Sequence, residues 1–197
     1  MPRSPVLRDH VSAAILEVAA RILAERRDAA SLAEIAEAAG VARSTLYRYF
    51  PSRDALLAAL AETAGQEVAA RVTQAQLDVL PVREALARVT RGLIATGGKY
   101  IALAYLWPKP AGAAGRPAAD ERIGGPLLGL FRRGTADGTF RDDIPAQALL
   151  AMYADLLEGA IKRAAGDRAS VEPASAAVLS VFLDGAAPAP PGRSRGE

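Results

Sequence analysis

Two short helical runs on either side of one glycine constrain this chain more than any other feature in it. Ser31-Leu32-Ala33-Glu34 has the form of a capping box. The serine oxygen accepts from the amide three residues on, and the glutamate reaches back to the serine amide. Leu32, Ile35 and Ala36 make the inner face of the helix this opens. Gly40 is placed to end it in the left-handed conformation that glycine adopts at little cost. Val41 and Ala42 lead straight into a second run, Arg43 to Phe50, which Pro51 stops, because the residue before a proline is biased away from helical geometry. Helix, glycine turn, helix at this spacing predicts a helix-turn-helix.

The flanking sequence supplies a third helix and a long successor. Val11, Ile15, Val18, Ile22 and Leu23 fall at helical spacing between His10 and Arg26. Ser52 caps a long helix running through Leu56, Leu57, Leu60, Ala64 and Val68. Further helices are expected from Pro81, from Tyr100 to Trp107, from Asp120 to Ala136, from Pro145 to Ala165 and from Glu172 to Asp184. Gly97-Gly98 is read as an interruption, 108–117 as a loop and Asp137-Gly138 as a turn. No segment shows strand alternation, and much of the 51% hydrophobic fraction is alanine, the best helix former. The expectation is an all-α chain of about nine helices. It divides into an N-terminal three-helix helix-turn-helix domain (1–53), a C-terminal helical bundle domain (54–185) and a disordered tail (186–197).

Composition narrows function by exclusion. With no cysteine and one histidine, disulfides, thiolate metal sites and a cysteine nucleophile are ruled out, and no metal or cofactor is expected. The carboxylate pairs Asp142-Asp143 and Asp155/Glu158 suit a turn and a helix surface. Nothing assembles a nucleophile, a base and an orienting group, so the chain reads as a non-enzyme. No apolar run is long enough for a signal peptide or a bilayer span, which makes a cytoplasmic location the expectation and a membrane partner not one. The net charge of +2 is compatible with a nucleic-acid partner and far too small to prove one.

Placement of charge decides more. With Leu46, Phe50 and Val41 turned inward, Arg43, Ser44, Thr45, Tyr47, Arg48 and Tyr49 remain on the outer faces of the second short helix. Arginine reads guanine edges, short hydroxyls reach bases or phosphates, and tyrosine hydroxyls hold the backbone. Any one arginine is more simply a solvated residue; the whole set beside a glycine turn points to double-stranded DNA. A helical protein–protein interaction module without specific DNA binding is the competing reading.

From about His10 to Leu60 the chain resembles the DNA-binding region of the TetR family. The match lies in Ser31-Leu32-Ala33-Glu34-Ile35-Ala36, Ala39-Gly40-Val41-Ala42, Thr45-Leu46-Tyr47-Arg48-Tyr49-Phe50 and Ser52-Arg53-Asp54-Ala55-Leu56, in order and without gaps. The resemblance implies that Arg43 and Ser44 face bases with Thr45 near them, and that Tyr47, Tyr49 and Ser31 hold phosphates. Arg53 stands where the family usually has lysine, keeping the charge with a different contact geometry. Arg3 and Arg8 would form a basic arm on the DNA backbone.

Over the second half the resemblance is architectural. It implies a repressor that binds a palindromic operator as a homodimer and is released by a small-molecule effector. Arg133 to Asp143 is similar to a turn found before the penultimate helix in many members. Leu149, Tyr153, Leu156, Leu157, Ile161, Val178 and Phe182 are the expected dimer face. Tyr100, Tyr105, Trp107, Phe131 and Met152 are the expected lining of an effector cavity.

Overall fold

The computed structural model describes residues 5–26, 30–106, 117–165 and 170–187. Among these residues there are nine helices and no strand: α1 (Pro5–Arg26), α2 (Leu32–Ala38), α3 (Arg43–Tyr49), α4 (Arg53–Gln74), α5 (Val82–Lys99), α6 (Leu103–Leu106), α7 (Pro117–Ala136), α8 (Ala146–Ala164) and α9 (Val171–Ala186). The all-α expectation holds. None of these helices is long and apolar enough to cross a membrane.

Two hydrophobic cores share one helix. The first gathers Ile15, Ala19 and Leu23 of α1, Ile35 and Ala36 of α2, Leu46 and Phe50 at α3, and Leu56, Leu57 and Leu60 of α4. The second gathers Leu86, Val89 and Ile94 of α5, Leu130 and Phe131 of α7, Leu149, Tyr153 and Leu157 of α8, and Val178 and Phe182 of α9. The far end of α4 enters this second core through Val72. A helix of this length spans about 33 Å, so one rigid rod connects the two cores.

The second core centres on four aromatic rings. Phe131 lies 5.4 Å from Phe140, 5.5 Å from Tyr153 and 5.6 Å from Phe182, centroid to centroid. The buried Tyr153 hydroxyl is satisfied: the Thr90 hydroxyl donates to the Leu86 carbonyl, which leaves the Tyr153 hydroxyl to donate to Thr90 at 2.9 Å. Burial pushes the Tyr153 phenol up to about 12. The turn after α7 delivers the fourth ring. Gly138 takes φ +76°, the Asp137 carboxylate accepts from the Thr139 amide, and the Phe140 amide donates to the Gly134 carbonyl. A Cβ on Gly134 would lie 2.4 Å from the Phe140 ring, so only glycine lets that ring lie against α7.

Gly97-Gly98 does not interrupt α5, which continues to Lys99. Glycine costs a helix interior only about 1 kcal/mol, and here it has a packing reason. A Cβ at Gly97 would stand 2.6 Å from Ile161 of α8. At the other end of the chain, α9 runs one residue into the segment expected to be tail, and Ala186 is buried. Its carbonyl accepts from the Arg141 amide, which ties the end of α9 to the α7–α8 turn. The expected disorder of 188–197 lies outside the described residues.

Candidate nucleic-acid interface

The helix-turn-helix forms as its local chemistry requires. At the start of α2 the Ser31 oxygen accepts from the Glu34 amide at 3.2 Å, and the Glu34 carboxylate accepts from the Ser31 amide at 2.8 Å. At its end Gly40 takes φ +65°. The Val41 amide reaches the Ala36 carbonyl and the Gly40 amide reaches that of Glu37, the paired bonds of a Schellman motif. The turn therefore fixes the direction in which α3 leaves.

α3 is held from beneath. Leu46 is fully buried and Phe50 nearly so, with Val41 partly buried beside them. Anchoring that one side leaves Arg43, Ser44, Tyr47 and Arg48 exposed on the other, with Tyr47 at 42%. Thr45 is half-buried. Tyr49 is half-buried too, rather than on an outer face; its ring sits against the first core, with the Arg48 guanidinium 5.5 Å above it. That contact leaves the Tyr49 ring as a spacer under Arg48.

Two residues of the expected DNA-binding set, Ser31 and Arg53, also have partners within the fold. The exposed Ser31 hydroxyl donates to the Glu34 carboxylate at 2.9 Å as well as accepting its amide. The bond from the Ser31 amide leads the effects that hold the Glu34 carboxyl below its ordinary range. The Glu34 carboxylate thus caps the start of α2 from within the chain, and is itself paired with Arg26 at 2.9 Å. The half-buried Arg53 turns back to donate to the Ala30 carbonyl, clamping the start of α4 to the approach to α2. Ser52 caps α4 by accepting from the Ala55 amide. Arg3 lies outside the described residues, and Arg8 falls within α1.

The residues expected to line an effector cavity do not come together. Phe131 is sealed in the aromatic cluster, Tyr100 is buried in the first core, and Tyr105 and Met152 are exposed. Trp107 lies outside the described residues. Sequence spacing marks such residues as apolar without saying which core each joins. A cleft of about 490 Å³ does open between the end of α4 and α7, lined by Val72, Thr73, Leu77, Pro126, Leu130 and Arg133. None of the four described residues among the expected five lines it.

The expected dimer face is also revised. Leu149, Tyr153, Leu157, Val178 and Phe182 are buried inside the chain's own second core, with Leu156 and Ile161 half-buried at its edge. They offer little surface to a second copy. The exposed sides of the same two helices carry Ala151 and Met152 on α8, and Ala176, Ala177 and Val181 on α9. Met152 is 53% exposed and Val181 60%.

A polar cluster that spacing could not reveal joins the two cores. Lys99 at the end of α5 pairs with Glu17 of α1 at 2.6 Å and with Glu67 of α4 at 2.9 Å, and the Tyr100 hydroxyl donates to Glu67 at 2.7 Å. Burial opposes each charge, but the hydrogen bonds outweigh it: they hold the Lys99 ammonium above its ordinary range and the Glu67 carboxyl below its own. Burial first, then the bond to Glu67, pushes the Tyr100 phenol up to about 12.

The resemblance seen in the sequence is matched by known proteins. Residues 15–60 fit the model for bacterial regulatory proteins of the tetR family. The chain is 31% identical over 162 residues to the HTH-type transcriptional regulator NfxB of Pseudomonas aeruginosa, covering 81% of this chain and 86% of that one. It is 41% identical over 119 residues to the HTH-type transcriptional repressor LfrR of Mycolicibacterium smegmatis, covering 59% of this chain and 62% of that one. The solved structure of LfrR in complex with proflavine superimposes with a TM-score of 0.68 at 25% identity, covering 91% of this chain and 97% of that one. A TetR transcriptional regulator of Streptomyces coelicolor does so at 0.62 and 28%, covering 91% and 99%. These relatives are regulators of transcription rather than enzymes. With a helix-turn-helix whose exposed face is basic and hydroxylic, and a relative matched over most of both chains, this protein belongs to the TetR family of transcriptional regulators.

Proposed function

We propose that the chain represses transcription by binding a palindromic operator as a homodimer through α3, and that a small-molecule effector releases it. The observation that carries this reading is the two-sided character of α3: Leu46 and Phe50 fix it to the core while Arg43, Ser44, Tyr47 and Arg48 stand in solvent. A short helix of that kind fits the major groove, where arginine pairs with guanine edges. Arg43 and Ser44 read bases with Thr45 beside them. Tyr47 and Arg48 take phosphates, while Tyr49, Ser31 and Arg53 serve chiefly by shaping the unit around them. Residues 1–53 act as the DNA-reading unit and 54–185 as the effector and dimerisation unit of a cytoplasmic protein.

Selection of bound sequences from a random duplex pool tests this directly. An enriched inverted repeat is the expected result; no enrichment would leave a helical interaction module. With that repeat in hand, Arg43→Ala should cost about 1–3 kcal/mol at one base position per half-site and relax preference there. Uniform weakening on every sequence would make Arg43 a phosphate contact instead.

A single helix-turn-helix binds weakly, and a two-fold pair that engages two half-sites multiplies its affinity. The exposed sides of α8 and α9 support the pairing, because alanines at 151, 176 and 177 let helices approach closely around Met152 and Val181. Light scattering at micromolar concentration should give twice the chain mass. Met152→Glu combined with Val181→Glu should halve that mass with helicity unchanged; a double variant that stays dimeric moves the interface elsewhere.

An effector shifts the balance only by binding the DNA-incompatible conformer more tightly. The α4–α7 cleft suits that purpose, since α4 begins beside α3 and ends at the cleft. LfrR, a relative of this chain, has been solved in complex with proflavine. The same random-pool selection repeated with proflavine and other candidate small molecules tests release.

A further inference from the structure

Three helices converge on one ammonium group. Lys99 Nζ stands between the Glu17 carboxylate of α1 and the Glu67 carboxylate of α4, and lies 4.9 Å from the centre of the Tyr100 ring. The Lys99 side chain is about a quarter exposed, and it closes α5, where the helix dipole favours a cation. The partners belong to different bodies. Glu17 rides on the helix that supplies Ile15, Ala19 and Leu23 to the first core, whereas α5 is built into the second through Leu86, Val89 and Ile94. The chain just beyond Lys99 crosses over: Tyr100 and Ala102 are buried in the first core, with Leu103 and Leu106 packed against it. An isolated exposed ion pair has little hold on geometry. An ammonium shared by two carboxylates, over an aromatic ring whose hydroxyl ties one of them, has a much firmer one.

We propose that Lys99 is a positioning residue for operator binding: by joining Glu17 to Glu67 it sets the angle of the DNA-reading unit on the effector unit, without touching DNA. Removing the charge lets the unit sample angles that miss the groove, and operator affinity falls with the fraction of correctly oriented protein. The affinity arm of the test rests on the DNA-binding reading proposed above; the distance arm does not.

The chain has no cysteine of its own, so labels can be introduced at will. Spin labels at Glu37→Cys on α2 and Arg132→Cys on α7, both exposed positions, report the inter-unit distance in the full chain diluted with unlabelled protein. A single narrow distribution is expected, broadened or displaced by Lys99→Met and by Glu17→Gln, and restored by Lys99→Arg. Affinity for the duplex recovered from the random pool should fall about fivefold in Lys99→Met. The slope of log affinity against log salt should not change, because no phosphate contact is lost. A pair that merely stabilised the fold would lower the melting temperature and leave distance and affinity alone. Unchanged distances, unchanged affinity, or a salt slope reduced by about one would each overturn the proposal. If Lys99→Met misfolds, Glu17→Gln at its exposed site on α1 carries the same measurements. If distances respond but the wild type selects no DNA sequence, the joint stands and the operator-binding reading falls.

Discussion

Replacing Phe131 with alanine is expected to cost about 3–5 kcal/mol of stability, the upper range for deleting a buried aromatic ring. Phe131 is 0% exposed and touches three other rings from three different parts of the chain: Phe140 in the α7–α8 turn, Tyr153 in α8 and Phe182 in α9. Its loss removes apolar burial and leaves a hole the neighbours cannot close. Phe140 is already pressed against Gly134, and the Tyr153 hydroxyl is tied to Thr90. Domains of ordinary stability unfold at about 5–15 kcal/mol, so a loss of this size removes a large share of what holds the chain folded. Chemical denaturation followed by circular dichroism measures the cost. A loss under about 1 kcal/mol would mean that the aromatic cluster is looser than its geometry indicates. Phe131→Leu, which fills most of the hole, should recover more than half the deficit.

The same residue shows where reading the sequence stops. Phe131 was expected in an effector cavity, and its apolar character was all the sequence supplied. The ring's partners are separated from it by 9 to 51 positions in the chain, and no local pattern encodes their meeting. The helix-turn-helix was legible for the opposite reason. A capping box acts over three residues, a Schellman turn over five, and the Leu46/Phe50 anchor over four, so each leaves its signature in one short stretch. The intermediate case is α8, whose wide apolar face is visible in the spacing while its division between core and surface is not. Leu149, Tyr153 and Leu157 recur every four residues and face the chain's own core, while Met152, offset from them, faces out. Periodicity reveals that a face is apolar; it cannot reveal whether the covering surface comes from the same chain or another. Arg53 shows the same limit. Its charge suggests a phosphate, but its guanidinium finds a backbone carbonyl 23 residues away, at Ala30.

Leu46→Ala tests the division between the two cores and should abolish DNA binding while sparing most of the molecule. Leu46 is the one fully buried residue of α3, a seven-residue helix too short to persist without tertiary support. Truncation costs about 2–5 kcal/mol, and that loss falls on the first core, where Ile35 and Leu56 are among the residues gathered around the same centre. The second core meets it through α4, the crossover after α5 and the Lys99–Glu17 pair between α5 and α1, while its own packing is built from other residues and should survive. Hydrogen exchange is the discriminating measurement. Protection should fall across α2, α3 and the first turns of α4, and persist in α5, α8 and α9. Equal loss of protection everywhere would mean that the two cores unfold as one unit. The distinction bears on the proposed release: if the DNA-reading unit can loosen alone, an effector bound as proposed would act on it while leaving the aromatic core undisturbed.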